Sequence, residues 1–157
     1  MGIPQLPPEV DLARPSAARI YDYMLGGSSN FPVDREAAAG LQDMVPEFHE
    51  IAWANRGFHQ RAARWMASQG IGQFIDLGSG LPTVGNTHEV VREVLPTARV
   101  VYVDMDPLVA AGATVLNGDD AAGFIQADLR APDVKASRRW CRTAARRSPR
   151  RWRARRA

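Results

Sequence analysis

The chain carries one cysteine, Cys141, so it can form no internal disulfide. A lone thiol fits a reducing compartment, and a cytoplasmic protein is expected. Lysine is absent before Lys135, which points to a GC-rich coding sequence. No apolar run approaches the ~20 residues that span a bilayer. The N-terminus lacks the basic-then-apolar order of a secretory leader. His49, His59 and His88 share no metal-ligand spacing with one another or with Cys141, so no metal is expected. No nucleophile–base pair can be assembled from the sequence. The histidines His49 and His59 read as surface residues of a long helix, and Trp53 and Trp65 as core or half-buried ones.

What is present suffices for one domain with a sizeable core: 157 residues, 45% of them apolar. Charge is unevenly placed. Residues 1–134 hold nine arginines against all seventeen acids, a net of −8, whereas residues 135–157 hold Lys135 and ten arginines with no acid, a net of +11. The overall +3 averages an acidic body and an intensely basic tail.

Residues 1–15 contain Pro4, Pro7, Pro8 and Pro15 and read as an extended lead-in. Residues 16–70 read as a helical segment. Ser16 opens a helix that Gly26-Gly27 stops, with Ile20, Tyr23 and Met24 on one face. Asp34 caps a second helix ending before Pro46. Glu47 to Gln69 reads as the longest helix, its apolar face drawn by Phe48, Ile51, Ala52, Phe58, Ala62, Trp65 and Met66. Residues 71–134 then alternate. A strand over 73–77 meets a Gly78-Ser79-Gly80 turn. A helix capped by Asn86 or Thr87 ends at Pro96. A strand of 99–103 ends in Asp104, a helix opens at Asp106-Pro107, and a strand of 123–127 precedes Asp128. Such alternation predicts an α/β fold, a parallel sheet with helices on both faces.

Three successive strands each end in an acid, Asp76, Asp104 and Asp128, and parallel strands bring such acids to one edge. Glycines at 78 and 80 let backbone approach a ligand. Asp76 can accept from an ammonium group. Asp104, twenty-eight residues later, can take both hydroxyls of a ribose. Met105 can pack on a purine face, and Asp128 can accept from an exocyclic amine. Each acid taken alone can equally be a helix cap or turn residue. The glycine pair is incomplete as a fingerprint, with Pro82 and Thr83 where longer glycine motifs continue. A nicotinamide-dependent oxidoreductase is the competing reading. It is disfavoured by Asp76 ahead of the glycines and by Thr83.

The run Asp76-Leu77-Gly78-Ser79-Gly80 with Asp104 and Asp128 resembles motifs of class I S-adenosylmethionine-dependent methyltransferases. Residues 18–27, Asn30 to Glu36, Asn55-Arg56, Gly80 to Thr83, Gly85 to Glu89 and Tyr102 to Pro107 are similar to one subgroup. It is an actinobacterial S-adenosyl methyltransferase family long catalogued as a domain of unknown function. The resemblance covers roughly residues 12–134 and makes Pro82 usual. It implies a Rossmann-like class I methyltransferase sheet and S-adenosyl-L-methionine as cofactor. Asp76, Gly78, Ser79 and Gly80 would hold the methionine part, Asp104 the ribose, Met105 and Asp128 the adenine. Tyr21, Asp22, Gly26, Gly27, Asn30 and Phe31 would form a lid or wall. Nothing specifies the methyl acceptor.

Only three strands of the expected seven can be found, so the sheet is expected to be incomplete and this chain to keep the cofactor-binding half. Without a fourth strand, Phe74 to Leu77 is expected as an exposed apolar edge, and transfer itself would lack the geometry that holds donor and acceptor in line. After Asp133 the periodicity stops. The Arg/Ala/Trp/Ser/Pro composition of 135–157 reads as a disordered tail produced by out-of-frame translation of a longer gene. Its eleven cations would attract any polyanion, nucleic acid included, without specificity. A non-catalytic nucleotide- or nucleic-acid-binding fragment is therefore the third reading.

Overall fold

The computed structural model describes residues 6–131 apart from Val84 and residues 117–120. The expectations for Cys141 and the basic tail lie outside the described residues.

The N-terminal segment is organised by one buried ion pair. Arg19, in helix α1 (Ala17–Met24), is 2% exposed, and Asp34 is fully buried. Arg19 Nε donates to Asp34 at 2.9 Å, and its guanidinium also donates to the carbonyls of Asp11 and Arg14. Asp34 accepts the backbone N–H groups of Ser16 and Phe31 as well, each at 2.9 Å. Asp34 was expected to cap helix α2 (Pro32–Met44). The cap is Phe31, with Pro32 at the first helical position, and Asp34 sits in the first turn reaching back. The helix thus begins three residues earlier than expected, which puts Asp34 inside its first turn.

Helix α3 (Phe48–Ser68) buries Ala52, Ala63 and Ala67. The last two pack against Val90 and Val91 of helix α4 (Thr87–Val94) and against the sheet. Small side chains allow this close approach. The larger apolar residues expected to face the core point outward: Ile51, Phe58 and Trp65 are 51%, 65% and 64% exposed. Trp53 is likewise exposed, contrary to the expectation of core or half-burial.

The sheet contains β1 (Gln73–Leu77), β2 (Arg99–Asp104) and β3 (Ala122–Gln126), all parallel, in the order β1-β2-β3. The register pairs Phe74 with Val100 and Ala122, and Asp76 with Tyr102 and Phe124. These residues share a face, because strand side chains alternate. Helices α3 and α4 cover it through Phe74, Val100 and Tyr102. Helix α5 (Pro107–Gly112), followed by a 3-10 turn over Ala113–Leu116, reaches the same face through Phe124. Helices were expected on both faces; among the described residues α3, α4 and α5 pack on this one. On the other face Ile75 and Leu77 are exposed.

Tyr102 braces α4 to β2. Its hydroxyl accepts the His88 backbone N–H at 2.8 Å and lies 2.6 Å from His88 Nδ1, with the rings edge to face. Burial pushes its pKa up to about 12. The nearby Asp76 charge adds to the rise, and the His88 backbone bond opposes it.

Two outcomes follow from these contacts. Asp34→Ala leaves Arg19 buried without its counter-charge and should cost about 3–5 kcal/mol of stability in urea unfolding. Tyr102 titrates later in the folded chain than in the unfolded one. Its contribution is therefore complete below pH 10 and is lost as pH rises toward about 12. A thermal-melting series should show this alkaline loss in the native sequence and a shallower one in Tyr102→Phe.

Candidate functional site

The turn after β1 is built on β2. Gly78 and Ser79 both donate their backbone N–H to the Val103 carbonyl, at 2.8 and 3.1 Å. Gly80 N–H donates to Asp104 Oδ2 at 2.8 Å. Gly78 and Gly80 have φ of 68° and 66°, a region that favours glycine. A Cβ added at either would meet nothing within 4 Å, so the space beside them is open.

That space is a cavity of about 880 Å³ at the carboxyl edge of the sheet. It lies within the upper range for small-molecule sites, roughly 300–1,000 Å³. Asp76, Gly78, Ser79, Gly80, Asp104 and Met105 form its floor. Tyr21 of α1 and Asn55, Arg56, Phe58, His59, Ala62 and Met66 of α3 form its wall. Asn55 donates to the Tyr21 hydroxyl at 3.0 Å, and that hydroxyl donates to the Ala52 carbonyl at 3.2 Å, so α1 and α3 are tied together at the cavity wall.

Asp104 is the junction of floor and wall. Its Oδ1 accepts the Asp106 N–H at 3.0 Å, while Oδ2 holds Gly80. Asp106 caps α5 by accepting from Leu108 N–H at 2.8 Å, and its other oxygen takes the Ser16 hydroxyl. Ser16 in turn donates its N–H to Asp34. One hydrogen-bonded series therefore runs from the Arg19–Asp34 pair through Ser16, Asp106 and Asp104 to the glycine turn.

Asp76 accepts the Thr87 hydroxyl at 2.5 Å, and Thr87 Oγ1 lies 3.4 Å from His59 Nε2. Beneath the turn is a second cavity of about 40 Å³. The Ser79 hydroxyl, buried here, has no hydrogen-bond partner among the described residues. Leaving such a group unpaired costs about 1–3 kcal/mol.

The sequence-derived site residues divide. Asp76, Gly78, Ser79, Gly80, Asp104, Met105 and Tyr21 line the large cavity. Gly26, Gly27 and Asn30 do not. They build a loop on the buried Asp22, which accepts Ser29 N–H at 2.8 Å and Asn30 Nδ2 at 2.9 Å. A Cβ on Gly27 would overlap the Asp22 carboxylate. Asp128 lines neither cavity; Arg130 holds it in an exposed pair at 2.7 Å and draws its pKa down to about 2. His59, read as a surface residue, lines the cavity. Arg56 and Met66 were not singled out as site residues. Met66 has a positional signal, since Asn55, His59, Ala62 and Met66 follow i, i+4, i+7, i+11 on the helix preceding β1, whereas Arg56 lies off that series. Among the described residues no group of three His, Cys, Asp or Glu side chains could hold a metal ion, and no helix is long and apolar enough to cross a membrane.

The profile of the S-adenosyl methyltransferase family matches residues 4–143, past the motif resemblance and into the arginine-rich segment. No curated protein matches the chain. A solved structure of a candidate methyltransferase from Thermobifida fusca YX is similar at 45% identity and TM-score 0.79, over 85% of this chain and 52% of that one. A solved DUF574 family protein from Streptomyces avermitilis MA-4680 is similar at 36% identity and TM-score 0.70, over 78% of this chain and 51% of that one. The chain thus spans about half the length of these two proteins. With the profile covering most of its length, the chain belongs to the S-adenosyl methyltransferase family.

Proposed function

We propose that the large cavity binds S-adenosylmethionine as methyl donor and that the chain carries the donor-binding part of a methyltransferase. The observation that supports this best is the placing of Asp76 and Asp104 around the glycine turn at the carboxyl ends of adjacent parallel strands. The residues present fit the group. Open space beside Gly78 and Gly80 admits a ligand against backbone. The unpartnered Ser79 hydroxyl offers a polar contact.

When bound, the cofactor supplies an electrophilic methyl group on a sulfonium centre. Asp104 is suited to the ribose hydroxyls, because each carboxylate oxygen can accept more than the one backbone N–H it already holds. Met105, 54% exposed, offers a polarizable surface for the base. Asp76 carries negative charge toward the cationic end of the ligand. Tyr21, tied to Asn55, stands as the wall that excludes water. Asp128 would reach a ligand only by giving up Arg130, and Gly26, Gly27 and Asn30 only through the Asp22 loop, so we leave these four out of direct contact. We also propose a cytoplasmic setting, supported by the lone Cys141.

Isothermal calorimetry tests the reading. S-Adenosylmethionine should bind, and Asp104→Ala should weaken it by about ten- to a hundredfold, the worth of charged hydrogen bonds. Binding of NAD in its place would favour the oxidoreductase reading and overturn this one.

A further inference from the structure

Helix α3 carries an outward face that neither the core nor the cavity accounts for. Ile51, Phe58 and Trp65 recur every seven residues along it, and each is more than half exposed. Seven residues make about two turns, so the three side chains stand in one row. Glu47, at the helix start, and Ala54 and Arg61 lie beside that row and are also exposed. Of the three apolar residues in the row, Phe58 alone lines the large cavity. Just before the helix, Met44 is 72% exposed, the most exposed large apolar side chain among the described residues. Single exposed apolar groups are ordinary, whereas a row at heptad spacing is the pattern of a helix seam.

We propose that this row is an interface with a second copy of the chain, in which the two α3 helices pair antiparallel about a two-fold axis at Ala54. Charge selects both the partner and its direction. The face is acidic at its start, Glu47, and basic further on, Arg61. Antiparallel pairing sets each Glu47 against Arg61 of the second copy, and symmetry repeats the match at the other end. Parallel pairing would set acid on acid and arginine on arginine. Ala54 lies midway between residues 47 and 61, so it meets its own copy, and its small side chain allows close approach at the axis. The same register brings Ile51 beside Phe58 of the second copy and Trp65 level with Met44, so each exposed apolar group of the row gains an apolar partner. The area is of the right order. The three side chains leave roughly 300–400 Å² exposed per copy. That is close to half of the ~800 Å² each partner gives to a standard interface, and Met44, Ala54 and the charged pairs extend it. Because Phe58 belongs to both, the seam runs along the cavity wall.

Sedimentation equilibrium on the full chain tests this. The native sequence should form a reversible dimer with a dissociation constant on the order of micromolar. Trp65→Glu should weaken it about a hundredfold or more, because a charge replaces a buried anchor. Glu47→Arg alone and Arg61→Glu alone should each weaken it about tenfold, since each sets like charges together at both ends. Mixing those two variants should restore the native affinity, because the mixed pair again matches every acid with an arginine. All three positions are exposed, and far-UV circular dichroism should show the helix content of each variant unchanged. A native chain that stays monomeric overturns the proposal without any variant. So does association into open-ended assemblies, which a closed two-fold contact does not produce. A dimer that survives Trp65→Glu places the contact on another surface and overturns it. A mixture that associates no better than its components overturns the antiparallel pairing of Glu47 with Arg61.

Discussion

The carboxylate of Asp104 is the constraint on which the rest of the site depends. It takes the Gly80 N–H on one oxygen and the Asp106 N–H on the other. Those two groups belong to different loops, one after β1 and one after β2. A single acid therefore fixes the spacing of two loops that flank a ligand cavity. Hydrogen bonds to an ionised acceptor are roughly twice as strong as neutral ones. The loop after β1 has two further ties, from Gly78 and Ser79 to the Val103 carbonyl, so its glycines adopt positive φ without being loose. The acid that a ligand's sugar would meet is also the acid that shapes the pocket.

How much of this was legible in the sequence depended on the range of the interaction. The strand over 73–77, the strand ending at Asp104 and the Asp106-Pro107 helix start are local patterns, and they stand where the residues put them. The glycine turn was legible because positive φ and open space are what glycine supplies. The partners of Asp34 were not. Arg19 lies fifteen residues before it, and nothing in the local pattern of either helix names the other. Asp128 looked equivalent to Asp76 and Asp104 because it also follows a strand. In the structure it pairs with Arg130 two residues later, whose guanidinium reaches both of its oxygens.

Helix α3 misled for a different reason. It carries apolar residues around most of its circumference, so periodicity alone did not select an inward face. Packing selected the alanines, since Ala63 and Ala67 let the helix lie close against α4 and the sheet. The displaced stripe of Asn55, His59, Ala62 and Met66 then became a cavity wall. Polar groups in that stripe were easy to assign to solvent while the cavity was unknown.

The spacing of these bonds along the chain also sets their cost in chain entropy. Ser16 and Arg19 reach Asp34 across eighteen and fifteen residues, whereas Ser16 reaches Asp106 across ninety. Closing a longer loop costs more chain entropy, and contacts between distant residues slow folding. The N-terminal knot around Asp34 therefore has the smaller loop-closure cost. The sheet with its glycine turn gathers its own parallel pairings. The Ser16–Asp106 bond spans the longest stretch of chain of the three, so it carries the largest loop-closure cost among them.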